Sequence, residues 1–154
     1  MKRTTSSTVI AATYDYDEKN ARLKSSEESG ITLSRDYFTT GEIKTETRKQ
    51  GGETFTMHYG YSRQARLLKY VDVLNQEQVY DYNKATGQLL STRLGTTVSR
   101  FGYNPQGEIE SIETADVGQT LKTTLSYDDY GRESLRVFDF GGGLTQELSQ
   151  AYDE

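Results

Sequence analysis

The sequence predicts an all-β chain: repeated antiparallel β-hairpins forming a curved, spiralling single-layer sheet of about thirteen short strands. Three observations predict it. The first is an internal repeat. Tyrosines followed by a short polar loop fall at Tyr16, Tyr37, Tyr61, Tyr82, Tyr103 and Tyr127, and the pattern starts again at Tyr152. The spacings are 21, 24, 21, 21, 24 and 25 residues, and a period of that length marks a repeat architecture. The second is strict alternation, clearest at Phe55, Met57, Tyr59 and Tyr61, which places those side chains on one face of a strand. The third is composition. Only 33% of the 154 residues are hydrophobic, there is no Trp, and there are 12 Tyr and 14 Gly. That is too little apolar material for a thick core, and suits strands and tight turns. A few amphipathic helices are the alternative. Regularly spaced β-branched residues and glycines argue against them, and no segment of helical length sustains a 3.6-residue period.

The elements follow in order. Residues 8–16 alternate, with Tyr14 and Tyr16 on one face. A second strand runs from Leu23 to the turn at Ser29-Gly30, and a third presents Ile31, Leu33, Arg35 and Tyr37. After Thr39-Thr40-Gly41 the chain returns from Ile43 to Thr47, then turns at Gln50-Gly51-Gly52 into Phe55–Tyr61. Leu67 to Val73 leads to a turn near Asn75-Gln76, and Gln78, Tyr80 and Tyr82 form the next strand. Leu89 to Leu94 comes back and turns at Gly95. Thr97, Ser99, Phe101 and Tyr103 enter Pro105-Gln106-Gly107. Ile109 to Ala115, a turn at Val117-Gly118, Leu121 to Tyr127, Leu135 to Phe138, the glycines 141–143, and Leu144 to Tyr152 complete the series.

The loop lengths explain the repeated glycine. If Tyr127 faces Glu133 across a hairpin, Asp128 faces Arg132 and the loop is Asp129-Tyr130-Gly131. Three-residue hairpin loops commonly end in a left-handed residue, which favours glycine. Gly41, Gly107 and Gly131 fall at that place. Gly87 arrives one residue later, which implies a four-residue loop. The first loop is also one longer, with Asn20 or Ala21 at the special position. Ala65 replaces the glycine in the third, implying either strain or a different loop. Tyr37 then faces Ile43, Tyr61 faces Leu67, and Tyr103 faces Ile109. Such aromatic–aliphatic pairs contribute roughly 0.2–1 kcal/mol each. Tyr14, Tyr59, Tyr80, Phe101 and Leu125, two residues before the anchors, extend the stripe. An Asp128–Arg132 ion pair would add little at an exposed hairpin base. Asn104 with Glu108 and Ser62 with Arg66 take its place elsewhere, so charge there is optional.

These residues resemble the YD-repeat, or RHS-repeat, family, whose pattern is Tyr-Asp-x-x-Gly-Arg-Leu. Tyr127 to Arg132 match it, with Glu133 in place of the aliphatic. Tyr16-Asp17 and Tyr152-Asp153 keep the dipeptide, whereas Phe38, Ser62, Asn83 and Asn104 depart at the second residue. The resemblance covers about six units, a single array over residues 1–154 with residues 1–7 expected to be flexible. Leu125 to Phe138 and Gln146 to Asp153 are most similar to the B component of bacterial insecticidal toxin complexes. It implies a segment of a secreted toxin protein whose hairpins spiral into a hollow shell around a cytotoxic polypeptide. Its partners would be neighbouring repeats of the parent chain, other toxin-complex subunits, and the enclosed toxin. Related repeats in teneurins form an extracellular adhesive barrel. The family's aspartyl self-cleavage uses paired Asp-Pro motifs, and this chain has no Asp-Pro. Ending as Tyr152-Asp153 opens another unit, the chain reads as a cut within a longer array. Open sheet edges would then favour self-association.

Chemistry is sparse. A net charge of −5 provides no basic footprint for nucleic acid. There is no cysteine for disulfides or thiolate sites. No apolar run reaches the roughly 18 residues of a membrane span. Met1 to Ser7 have no apolar segment of the signal-peptide kind. His58, between Met57 and Tyr59, points away from the tyrosines and lacks a nucleophile or metal cluster beside it. Glu108 and Glu110 share a strand face, with Glu113 and Asp116 nearby, but so do charges on any solvated sheet. The glycines 141–143 have no Lys-Ser/Thr or helix after them, so a hairpin loop outweighs a phosphate site. Asp15, Asp17, Asp81 and Asn83 lack a full calcium ligand set. The expected function is structural and non-catalytic, with no cofactor or metal. The anchor tyrosines and Gly41, Gly87, Gly107 and Gly131 carry it. The alternative is a carbohydrate-binding or adhesion module that uses the aromatic face.

Overall fold

In the computed structural model, residues 11–153 are described. The expected flexible start at residues 1–7, and residues 8–10 of the first expected strand, lie outside them. Among the described residues there are thirteen strands and no helix. The first compact unit, up to Asn75, holds β1 (Ala12–Tyr16), β2 (Leu23–Glu28), β3 (Ile31–Tyr37), β4 (Ile43–Gln50), β5 (Glu53–Tyr61) and β6 (Leu67–Val71). The second, from Gln76, holds β7 (Glu77–Tyr82), β8 (Leu89–Leu94), β9 (Thr97–Tyr103), β10 (Ile109–Asp116), β11 (Gln119–Tyr127), β12 (Glu133–Asp139) and β13 (Thr145–Ser149). Within each unit, every strand pairs antiparallel with the strands next to it in sequence. This is the all-β, single-layer hairpin arrangement that the repeat and the alternation predict.

A single layer leaves little to bury. Only Leu125 and Thr123 are buried, each 7% exposed, among the described residues. Both lie on the face of β11 that carries Tyr127, and the alternate residues Lys122, Thr124 and Ser126 are exposed. In β11 the more buried face is therefore the tyrosine face. In the second hairpin its place two residues before the anchor holds no aromatic. Arg35 and Glu46 sit opposite each other there and pair at 2.7 Å.

Two kinds of connection alternate. At one end the strands join by tight turns. Glu28 faces Ile31, Gln50 faces Glu53, Leu94 faces Thr97 and Asp116 faces Gln119, each across two residues. Val117 (φ 35) and Gly118 (φ 79) both take positive φ, as a type I′ turn requires. The turn after β6 departs from expectation. It is Asp72 to Asn75, closed by the Asn75 N–H on the Asp72 carbonyl at 3.0 Å. Val73 and Leu74 belong to this turn and not to the strand, and Leu74 is 72% exposed. The apolar Val73 carried the expected strand, Leu67 to Val73, two residues beyond its end at Val71. At the chain's end, β13 stops at Ser149 and does not reach Tyr152.

At the opposite end of the strands are the corner loops, with the predicted registers. Tyr37 faces Ile43, Tyr61 faces Leu67, Tyr103 faces Ile109 and Tyr127 faces Glu133. The first corner resolves its alternatives in favour of Ala21 (φ 55), and the fourth is closed by the Gly87 N–H on the Asn83 carbonyl. The third keeps the three-residue loop and accepts the strain, with Ala65 at φ 58.

An alanine in the left-handed region costs roughly 1–2 kcal/mol relative to the ordinary conformation, a penalty that glycine avoids. Ala65→Gly should therefore stabilise the protein by about 1 kcal/mol, and Gly107→Val, at φ 91, should destabilise it by more than about 1 kcal/mol. Urea unfolding checks both. A neutral or destabilising Ala65→Gly would contradict the strain at that corner.

Candidate functional site: the hairpin corners

Each corner begins with its tyrosine and a following residue that the loop must satisfy. At the sixth corner the Asp128 N–H donates to the Arg132 carbonyl at 2.9 Å, and Gly131 N–H donates to the Asp128 carbonyl at 3.0 Å. The Asp128 carboxylate Oδ1 accepts the N–H groups of Tyr130 and Arg132, both at 2.9 Å. Other corners repeat this with other residues. Asp17 accepts from Lys19 and Asn20, Ser62 from Gln64 and Arg66, Asn83 from Ala85 and Thr86, and Asn104 from Glu108. A short oxygen-bearing side chain that caps backbone N–H groups is the common requirement. By residue type alone, the aspartate is half of an optional ion pair with Arg132. That pair exists, Arg132 Nε on Asp128 Oδ2 at 2.7 Å, but the cap explains why Asp, Asn and Ser alternate. Phe38 alone among the six carries no such oxygen. Its ring instead meets Tyr61 edge-on, with centroids 6.2 Å apart.

A second device follows each corner. The register slips by one residue after the anchor pair in all six hairpins. Tyr61 faces Leu67, but Gly60 faces Lys69, so Leu68 is extra. The equivalent extra residues are Lys24, Lys44, Leu90, Glu110 and Ser134. Such a bulge re-aims the strand by one residue. It brings Leu67 and Tyr70, or Ile109 and Ile112, onto one face at a spacing of three. At the sixth corner the same spacing aligns Glu133 with Arg136, which pair at 2.7 Å.

The anchor tyrosines then join one corner to the next. The Tyr37 hydroxyl donates to the Leu23 carbonyl at 2.8 Å, and Leu23 faces the preceding anchor, Tyr16. Tyr103 donates to Leu89 at 2.9 Å, Tyr127 to Ile109 at 2.6 Å, and Tyr152 to Glu133 at 2.9 Å. In each case the acceptor is the residue opposite the previous anchor. Tyr61 and Tyr82 close their own strands opposite Leu67 and Leu89. Burial pushes the Tyr61 and Tyr127 hydroxyls up from their ordinary value.

The residue after the loop's left-handed position also reaches the neighbouring corner. A Cβ built on Gly41 would lie 2.5 Å from Arg22 Nη2, and one on Gly131 would lie 2.7 Å from Glu108 Oε1. These glycines thus provide close approach as well as positive φ. Arg22 lies over the Tyr37 ring at 5.6 Å and Arg132 over the Tyr152 ring at 4.5 Å. Arginine over an aromatic face is attractive, by roughly 0.5–1 kcal/mol at exposed sites.

The other candidates are scattered. His58 is exposed on the face away from Tyr59. Glu108 belongs to the corner and not to a strand face shared with Glu110, which is the bulged residue. Glu113 lies 3.9 Å from Arg100, and Asp116 accepts from the Thr96 hydroxyl at 2.6 Å. The glycines 141–143 form the loop between β12 and β13, closed by Phe140 N–H on the Leu144 carbonyl. Asp17 and Asn83 are occupied as caps. Among the described residues, no three His, Cys, Asp or Glu side chains stand close enough to hold a metal.

The cap has a pH signature. The backbone N–H of Arg132 holds the Asp128 carboxyl below its usual value of 3.8, and that of Lys19 does the same for Asp17. A lowered carboxyl stabilises the fold above its ordinary pKa, and that contribution disappears as pH falls through the lower, folded value. The thermal midpoint should hold from neutral pH to about pH 4 and then decline. Asp128→Asn keeps the Oδ1 acceptor, so it should lie between wild type and Asp128→Ala at neutral pH and show a smaller acid decline than wild type. Thermal scans at stepped pH check this, and an acid decline identical to wild type would contradict it.

No family model matches the chain, and no curated protein matches it. Solved structures share its fold. A chain of a Photorhabdus luminescens Tc holotoxin pore with a mutated TccC3 matches 82% of this chain with a TM-score of 0.72 and 16% identity. A crystal structure of TcdB2–TccC3–Cdc42 matches 92% with a TM-score of 0.55 and 12% identity. One of TcdB2–TccC3–TEV matches 83% with a TM-score of 0.51 and 11% identity. This chain spans 7%, 10% and 9% of those chains, respectively. The fold of this chain is thus one that Tc toxin complex chains also contain.

Proposed function

We propose that the chain is a non-catalytic wall segment of a YD-repeat shell in a secreted bacterial toxin, and that the shell encloses a cytotoxic polypeptide. The likeness to the Tc holotoxin chain, a TM-score of 0.72 over 82% of this chain, carries the reading. The corners support it. Four of the tyrosines take a backbone carbonyl of the hairpin before their own, so hairpins can be added in series without a core. The mechanism is steric: a continuous wall confines a chain and keeps proteases out. The working residues are the anchors Tyr16, Tyr37, Tyr61, Tyr82, Tyr103 and Tyr127, with the turn glycines Gly41, Gly87, Gly107 and Gly131. Neighbouring repeats and other toxin-complex subunits are the partners in this reading, with the enclosed polypeptide touched loosely.

Limited proteolysis of the full-length polypeptide that contains this segment tests the proposal. A protected fragment, cleaved only after denaturant opens the protein, is the expected result. Uniform cleavage at native conditions would contradict enclosure. Titration with sugars, followed by tyrosine fluorescence, addresses the adhesive alternative. Saturable binding lost in Tyr59→Ala and Tyr80→Ala would replace the shell reading with that one.

A further inference from the structure

Met57 occupies an unusual setting on the tyrosine face of the first unit. It lies on β5 between Phe55 and Tyr59, and across the strands it faces Glu46. Tyr59 faces Tyr70 on β6, and their rings are 5.3 Å apart. Both phenols point their hydroxyls at the same thioether. Tyr70 donates to Met57 Sδ at 3.4 Å and Tyr59 at 4.0 Å. Burial pushes the Tyr59 hydroxyl up from its ordinary value, so it remains a donor.

A thioether sulfur is a weak acceptor, so two half-buried donors aimed at one sulfur form weak bonds there. A sulfoxide oxygen on the same sulfur would be a strong acceptor within reach of both. Met57 is half-buried, not sealed, so a small oxidant can reach it. We propose that Met57 is an oxidation site for hydroperoxides, and that the Tyr59 and Tyr70 hydroxyls receive the sulfoxide, so that oxidation tightens the β5–β6 hairpin. The step balances. The sulfur lone pair attacks the terminal oxygen of the hydroperoxide, the O–O bond breaks, and an S–O bond forms. The sulfur loses two electrons, the peroxide is reduced, and the displaced oxygen takes the proton and leaves as water or an alcohol. Methionine sulfoxide reductases reverse the product. Oxidation of a packed methionine ordinarily loosens its surroundings, because a polar group enters apolar packing. Here the two donors reverse that sign.

The test is mild hydrogen peroxide on the intact protein, with peptide mass mapping to separate Met57 from Met1 and thermal unfolding before and after. The expected result is a gain of one oxygen at Met57 and a melting temperature above that of the reduced protein. Met57→Leu should show no peroxide-dependent shift, which removes any contribution of Met1. Tyr70→Phe should still oxidise but melt lower once oxidised, because its main donor is gone. Two results would overturn the proposal: a Met57 that stays reduced while Met1 oxidises, or a wild type whose melting temperature fails to rise once Met57 is oxidised.

Discussion

A single-layer sheet has no second layer to bury against, and that constraint governs everything else in this protein. With two buried residues among those described, the hydrophobic term that dominates ordinary domains is small. Stability has to come from contacts between sequential neighbours, as in other arrays built of short units. The anchor tyrosine answers this need twice. It faces an aliphatic residue in five of the six hairpins, and in four cases a tyrosine hydroxyl donates to a carbonyl of the corner before it. A net contribution of about 1 kcal/mol per hydrogen bond is modest singly, but it recurs at four of these tyrosines.

The corner concentrates these demands in few residues. The short polar side chain after the tyrosine satisfies the loop's N–H groups. A left-handed residue turns the chain and, when it is glycine, lets the neighbouring corner approach. The residue after it packs against that neighbour, as Arg22 and Glu108 do. The bulge then sets the following strand so that its half-buried residues share the tyrosine face. Tyr127 to Arg132 at first suggest an acidic active site beside an arginine. The Asp128 carboxylate is instead engaged by backbone N–H groups and by Arg132, whose guanidinium lies over the Tyr130 and Tyr152 rings, and the Tyr127 hydroxyl donates to the Ile109 carbonyl.

Much of this was legible in the sequence. Period-2 alternation and turn glycines located the strands, and the loop length gave the register of Tyr127 against Glu133. The bulge leaves only a faint mark: Leu67 to Tyr70 and Ile109 to Ile112 carry it as a spacing of three where alternation gives two. The cap was concealed because Asp, Asn and Ser differ in charge and share only an acceptor oxygen. The tyrosine hydroxyl bonds leave no pattern, since their acceptors are backbone carbonyls 14 to 19 residues earlier. The apolar Val73 misled the strand end, because an exposed turn residue reads like a buried one when only its type is known.

The central claim is that a tyrosine hydroxyl stabilises the corner preceding its own. Native-state hydrogen exchange on Tyr127→Phe tests it most directly. The account predicts that the amides of the Asn104–Ile109 corner, Gly107 and Glu108 among them, open more easily by about 1 kcal/mol, while corner amides of the first unit keep their protection. Unchanged protection at Gly107 and Glu108, or an equal loss at every corner, would contradict it.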